Sequence, residues 1–367
     1  MSFDKIKNKL GFGAMRLKMN DGSIDYAEFN NMIDAFIGAG FNYFDTAHGY
    51  IEGKSEIAIG ECLASRYRRE DFVLANKISE WFVKTEEDVL PFFEKQLETC
   101  GVDYFDFYLC HAVSSDNYEK YKSVNAFKIL QELKKQGKIK HIAMSFHDTA
   151  DVLDRILTEQ PCIEAVQLQI NYLDYDDPNI QSEACYNVAV KHGKKVIVME
   201  PVKGGALVNL PEEASMALDN LGGGSYASYA LRFVVQHPEV IMILSGMGNM
   251  EMMEDNIATL TNPVPLSEEE HIVLMKVKDI IRRTRQIACT ACNYCKDVCP
   301  KNIFISDSFM AYNGFLSAKQ SRKEAASNLP SEGGKPSECI GCGKCESVCP
   351  QNIEISKHLA KLTKDLK

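Results

Sequence analysis

The sequence predicts an α/β chain: a (β/α)8 TIM barrel followed by a small C-terminal domain built around cysteine. Three observations carry this expectation. Strand-like apolar runs and helix-period segments alternate through about 260 residues, the size and rhythm of such a barrel. Eight of the 13 cysteines fall in the last 79 residues, 289–367, in two identical runs. The 367 residues also exceed what one ordinary core organises.

Taken in order, a first strand is expected over 10–14 and a helix over 25–39, closed by Gly40. Strand 42–45 and helix 55–65 follow, then strand 72–77 and helix 85–100. Thr85 before Glu86, Glu87 and Asp88 supplies that helix with an N-cap and an acidic first turn. Strand 105–110 leads to a helix over 126–136 that stops at Gly137. Strand 139–145 pairs with helix 150–159. Strands 165–170, 196–199 and 241–244, with helices 180–192, 226–236 and 250–260, complete the set. A doubly wound dinucleotide fold would place G-x-G-x-x-G after the first strand. Gly11-Phe12-Gly13 supplies only the first two glycines, and the barrel is preferred.

Apolar residues make up 45% and charged residues 25%, the balance of a folded globular chain. Lys plus Arg is 41 against 51 Asp plus Glu, and a net charge of -10 argues against nucleic acid as a partner. No apolar run approaches the roughly 20 residues that span a bilayer, so no membrane is expected. The N-terminus lacks the apolar stretch of a signal peptide, which points to the cytoplasm. Cysteines there signify metal or redox chemistry more than disulfides.

The two runs are Cys289, Cys292, Cys295, Cys299 before Pro300, and Cys339, Cys342, Cys345, Cys349 before Pro350. Each is C-x2-C-x2-C-x3-C-P, the ligand run of bacterial two-cluster ferredoxins, whose fourth cysteine serves the other cluster. The second domain is therefore expected to be a ferredoxin-like iron–sulfur domain with two [4Fe–4S] clusters. Cys289, Cys292, Cys295 and Cys349 would hold one, and Cys339, Cys342, Cys345 and Cys299 the other. Zinc, which also takes C-x2-C pairs, fits this four-slot pattern poorly. Cys339 lies 39 positions after Pro300, a long spacer in which Asn313-Gly314 and Gly333-Gly334 suggest the turns of an inserted loop. Residues 289–367 carry 11 basic and 8 acidic side chains, with Arg282, Arg283 and Arg285 just upstream, a charge balance that suits anionic clusters. The other five cysteines (Cys62, Cys100, Cys110, Cys162, Cys185) are scattered and expected to pack as small hydrophobes. Boundaries follow: 1–262 barrel, 263–288 a linker helix opened by Ser267 and Glu268–Glu270, and 289–367 the cluster domain.

In a barrel, chemistry sits at the C-terminal ends of the strands. Those ends offer Asp45, Lys77 and His111, with Tyr50 in the loop beyond Asp45. The types make a proton-transfer unit. A phenol is a weak acid, a nearby ammonium lowers its pKa, a carboxylate holds the ammonium, and an imidazole orients a substrate oxygen. The stretches FDTAHGY (44–50), GKSE (53–56), VLANK (73–77), DFYLCH (106–111), IAMSFH (142–147) and VQLQIN (166–171) resemble the aldo-keto reductase family, from Leu10 to Asn256.

The resemblance implies that Tyr50 is the general acid/base, tuned by Lys77 and Asp45, that His111 orients the substrate, and that nicotinamide supplies hydride. It also implies that Ser145 and Gln167 bind the carboxamide and that Asp255 and Asn256 lie at the adenine. The sequence departs from the family at Phe146, where Asn usually follows the serine, and at Met199, where an aromatic usually stacks on nicotinamide. Met252 stands where an Arg often holds the 2′-phosphate, so NAD(H) is favoured over NADP(H). The methionines of that helix are expected to face the barrel. His48, Trp81, Phe82 and His147 are candidates to line the substrate pocket, and Gly222–Gly224 is expected to be a loop.

The function expected is an oxidoreductase that interconverts a small carbonyl and an alcohol, with clusters exchanging electrons with a redox partner protein. Hydride moves two electrons together and each cluster moves one, so a flavin is a possible further cofactor. Two alternatives stand beside this: an electron-transfer subunit that uses the barrel as a docking scaffold, and an ordinary reductase with structural or redox-sensing clusters.

Overall fold

The computed structural model describes residues 3–284 and 286–367; Arg285 lies outside the described residues. Eight parallel strands close a barrel: β1 Leu10–Gly13, β2 Tyr43–Asp45, β3 Val73–Ile78, β4 Phe105–Val113, β5 Ile139–Phe146, β6 Ala165–Gln169, β7 Lys195–Met199 and β8 Val240–Ser245. Their order around the ring is β1-β8-β7-β6-β5-β4-β3-β2, so each strand neighbours its successor and β8 meets β1. Side chains including Tyr43, Phe107, Leu109, Ile197 and Met242 fill the centre, which is a packed core and not a channel. Gly11 belongs to this packing. A Cβ there would stand 2.7 Å from Leu244 Cδ2 and 2.8 Å from Met242 Sδ, so the first glycine of Gly11-Phe12-Gly13 serves strand closure.

Helices cover the barrel in the expected sequence, with local differences. Helix α1 is Tyr26–Gly38, capped by Asp25, whose carboxylate accepts from Glu28 N at 3.0 Å. Helix α2 is Lys54–Ile59 and continues as one wide π turn, Gly60–Ala64, where a Cβ on Gly60 would meet Thr99 O at 2.6 Å. Helix α3, Val89–Cys100, begins only after a 3-10 turn, Glu86–Asp88, boxed by Thr85 and Asp88. The expected single helix over 85–100 is thus a 3-10 turn followed by an α-helix. Helix α4, Tyr118–Ser123, has no counterpart in the expectation because it is only six residues long and its buried face is just Tyr118 and Tyr121, too short a period to read. Helices α5 Ala126–Lys135, α6 Ala150–Glu159 and α7 Ser182–Lys191 follow their strands.

By packing the chain forms two units: residues 1–201 with 230–265, and 202–229 with 266–367. Relative to the boundaries expected from sequence, the difference is the segment 202–229, which packs with the cysteine-rich unit. It contains helix α8, Glu212–Asp219, and ends inside helix α9, Tyr226–Val235. Helix α10, Met250–Thr261, closes the barrel unit.

In the second unit, α8 packs on helix α11, Glu268–Arg283, with Arg283 bonded to Glu213 at 3.0 Å. Ser267 and Glu270 form the capping box that starts α11. Helices α12 Ile305–Leu316, α13 Arg322–Ser327 and α14 Ile355–Asp365 enclose a core of Ile303, Phe309, Tyr312, Leu359 and Leu362 with Cys345. The expected turn at Asn313-Gly314 is corrected by α12: both residues are helical. Asn313 instead bridges Ile287, accepting from its N–H at 2.7 Å and donating to its carbonyl at 2.8 Å. Gly314 is where the Gln320 side chain lies close. Gly333 does turn, at φ +76°. Among the described residues no helix is long and apolar enough to cross a membrane.

Candidate active site and cysteine cavities

The three strand-end residues and Tyr50 meet in one place. Lys77, fully buried in β3, donates from Nζ to Asp45 Oδ1 at 2.6 Å and to Thr46 O at 2.9 Å. The same Nζ lies 4.7 Å from the centre of the Tyr50 ring, and the His111 ring stands edge-on to Tyr50 at 5.9 Å. Tyr50 enters from the turn after β2. Three successive residues there, Ile51 (φ +51°), Glu52 (+56°) and Gly53 (+84°), take the left-handed backbone. For the first two this costs on the order of 1 kcal/mol or more each, strain of the kind that positions functional side chains.

Burial lowers the Lys77 ammonium and raises the Asp45 carboxyl, and each shift is opposed by the partner charge. His111 is held well below the usual imidazole range, by burial first and then by the Lys77 cation and His147. It is therefore neutral. It sits within a bulge in β4: the register breaks between Cys110 and Val113, and Ala112 takes φ +51°. Ser79 Oγ lies 2.6 Å from His111 Nδ1, and Tyr121 OH donates to the His111 carbonyl at 2.6 Å. Trp81 packs edge-on to His111 at 5.3 Å, and Phe82 packs edge-on to His48 at 4.8 Å.

Behind the site lies a polar cluster. Glu56, fully buried, accepts from Asn76 Nδ2 at 2.8 Å and Gln96 Nε2 at 2.7 Å, and meets His48 Nδ1 at 2.7 Å. The bond to Glu56 raises the His48 pKa above the ordinary imidazole value. Gln96 also donates to the Lys77 carbonyl at 3.1 Å, and Asn76 Oδ1 accepts the Lys77 N–H at 2.8 Å. Ser79, Gln96 and Asn76 escape a sequence reading because each is an ordinary polar residue. The GKSE stretch was the available signal for Glu56.

The candidate nucleotide contacts are separate. Gln167 is buried in the middle of β6 and, among the described residues, its Oε1 has no hydrogen-bond partner. Such an atom costs about 1–3 kcal/mol and suits a ligand N–H. Ser145 Oγ accepts the Ala112 N–H at 2.6 Å, which leaves its own proton to donate. A primary amide fits that pair of donor and acceptor. Asn256 donates to Ser245 Oγ at 2.8 Å, and Asp255 is half-buried. Phe146 is buried and Met199 half-buried. Of the methionines, Met253 packs inward as expected, but Met252 is 49% exposed, because adjacent positions of a helix lie on different faces and cannot both meet the barrel.

In the cysteine-rich unit, Cys289, Cys292, Cys295 and Cys349 surround one cavity with Phe309 and Ile353. Cys299, Cys339, Cys342 and Cys345 surround a second with Ile303 and Leu359. Each loop of three is thus joined by the fourth cysteine of the other run. Burial pushes the Cys295 thiol up to about 12, with Cys292, Cys289 and Cys349 adding to it, and Cys345 up to about 11. Ala291 N–H donates to Cys289 Sγ at 3.5 Å. Among the described residues no three His, Cys, Asp or Glu side chains close on a single metal ion. All-thiol donors spread around an apolar hollow fit a multi-iron cluster better. Of the remaining cysteines, Cys62, Cys100, Cys110 and Cys185 are buried and Cys162 is half-buried.

Comparison with known proteins agrees with both halves. Residues 9–278 match the Aldo/keto reductase family, and residues 288–354 match the 4Fe-4S dicluster domain. L-galactose dehydrogenase of Arabidopsis thaliana is 24% identical, over 76% of this chain and 92% of its own. NADH-specific methylglyoxal reductase of Escherichia coli is 22% identical, over 66% and 85%. An aldo-keto reductase of Bacillus halodurans in its holo form shares the fold at a TM-score of 0.62 and 23% identity, over 74% of this chain and 92% of that one. One from Klebsiella pneumoniae in complex with NADPH gives 0.60 at 20% identity, over 74% and 95%. The chain belongs to the aldo/keto reductase family and is an oxidoreductase that carries a C-terminal 4Fe-4S dicluster domain.

Proposed function

We propose that the barrel interconverts a small carbonyl and an alcohol, with Tyr50 as the proton carrier. The supporting observation is the placement of one ammonium, Lys77 Nζ, 2.6 Å from Asp45 and 4.7 Å from the Tyr50 ring centre. A phenol of reference pKa about 10 gives up its proton more readily beside a cation, because the cation stabilises phenolate. In reduction Tyr50 delivers its proton to the substrate oxygen as that oxygen gains charge; in oxidation it takes the proton back. In the tautomer where His111 Nδ1 accepts from Ser79 Oγ, 2.6 Å away, a neutral His111 presents Nε2–H as a donor to the substrate oxygen. Trp81, Phe82 and His48 line the substrate side.

A bound nicotinamide supplies or accepts the hydride. Ser145 and Gln167 would hold its carboxamide, and Asp255 and Asn256 its adenine end. The exposed Met252 brings no cation to a 2′-phosphate, which favours NAD(H). Cys289, Cys292, Cys295 and Cys349 would hold one [4Fe–4S] cluster, and Cys339, Cys342, Cys345 and Cys299 the other. Bound clusters supply single-electron exchange, here with a redox partner protein in a reducing cytoplasm.

The test uses anaerobic, iron-replete protein with NADH or NADPH and a panel of short aldehydes, following nucleotide oxidation. Tyr50→Phe is expected to lower turnover about 10²–10⁴-fold while nucleotide binding persists. kcat/KM is expected to be higher with NADH. A Tyr50→Phe protein with undiminished turnover would contradict the proposal.

A further inference from the structure

Lys203 is an unusual residue to find buried. It sits in the segment that packs with the cysteine-rich unit, is 3% exposed and takes a left-handed backbone at φ +48°. A lysine is rarely buried this fully. Its Nζ donates to Gln351 Oε1 at 3.3 Å, and Gln351 lines the same cavity as Cys289, Cys292, Cys295 and Cys349. The next residue, Gly204, holds the backbone against the first cysteine loop: at φ +60°, a Cβ there would lie 2.5 Å from Thr290 O. Thr290 lines that cavity too. The second cavity differs, since its lining lysine, Lys301, is exposed to solvent, which screens its charge.

We propose that Lys203 is an electrostatic tuning residue that raises the reduction potential of the cluster held by Cys289, Cys292, Cys295 and Cys349 relative to the other. The inference rests on those four cysteines being the ligands, as proposed above. Reduction adds one electron and one negative charge to the cluster. A buried ammonium near its wall stabilises the added charge, and local charge is one of the levers that set cluster potentials. The two clusters thereby differ in potential, giving single electrons a direction within the unit.

Anaerobic redox titrations of the full, iron-replete chain, read by EPR, test this. Lys203→Met is expected to lower one cluster's reduced-to-oxidised ratio at a fixed potential about tenfold, a negative shift of about 59 mV for one electron. The other cluster should stay put, and Lys203→Arg should behave as wild type. Lys203→Gln, which removes the charge but keeps a polar side chain for Gln351, should shift the same cluster in the same direction and carries the test if Lys203→Met loses iron. Unchanged potentials with iron retained, or equal shifts of both clusters, would overturn the inference alone. Cys292→Ser identifies the signal and tests the ligands separately: it should alter one cluster's signal only. If it alters neither, the ligand assignment fails and the inference falls with it.

Discussion

At the barrel's strand ends Lys77 is buried against Asp45, and Glu56 against His48, Asn76 and Gln96. In the cysteine-rich unit Cys295 and Cys345 are buried against apolar side chains, and that burial first, with neighbouring cysteines adding to it, pushes their thiols up. The barrel brings each buried charge an opposite charge or a fitted dipole from its own chain. The thiol loops bring together groups that repel once deprotonated, and iron is what would reconcile them. The charges at the barrel's strand ends are therefore balanced within the protein, while the thiol loops are balanced only with metal.

The largest expected effect breaks the barrel's side of this contrast. Asp45→Leu leaves Lys77 buried beside an apolar group and should cost about 3–5 kcal/mol in urea unfolding. Adding Lys77→Met should recover most of it, because a buried pair is less costly to replace than to halve. A single-mutant cost below about 1 kcal/mol would mean that the pair does not balance the site.

A second charge cluster sharpens the contrast away from the proposed chemistry. Burial pushes the Glu164 carboxyl up, but bonds from His141, Lys134 and the Ile142 N–H outweigh it and hold the group at about 2. A depressed carboxylate contributes stability above its ordinary range and loses it as pH falls toward the folded value. Glu164→Gln should therefore cost on the order of 2 kcal/mol at pH 6 and progressively less toward pH 3, read from urea midpoints across pH.

The smallest effect concerns His48, whose pKa is raised by its bond to Glu56. A raised imidazole contributes stability below the unfolded pKa and loses it as pH rises through the folded one. Glu56→Gln should return the His48 titration toward its ordinary value in NMR, with little change in the melting midpoint at pH 8.

How much of this was legible follows from how each group is specified. The cysteine runs are contiguous, so their spacing alone predicts a pairing that the two cavities group in the same way. The barrel follows from alternating periodicity, and Asp45, Lys77 and His111 from strand-end position. Ser79 and Gln96 were not legible, because only the register of β3 and α3 turns these common residues toward His111 and Glu56. Asn313-Gly314 misleads as a turn because the dipeptide carries turn propensity while its fate is decided by Ile287, 26 positions away. Lys203 could not be singled out, since nothing in Val202-Lys203-Gly204 announces burial.

The central contrast is tested most directly by hydrogen–deuterium exchange on iron-replete and iron-stripped protein, both kept anaerobic. The account predicts that stripping iron removes protection from peptides within 286–367, while those spanning Asp45, Lys77 and His111 keep theirs. Equal loss in both regions, or unchanged protection around the two cysteine loops, would contradict it.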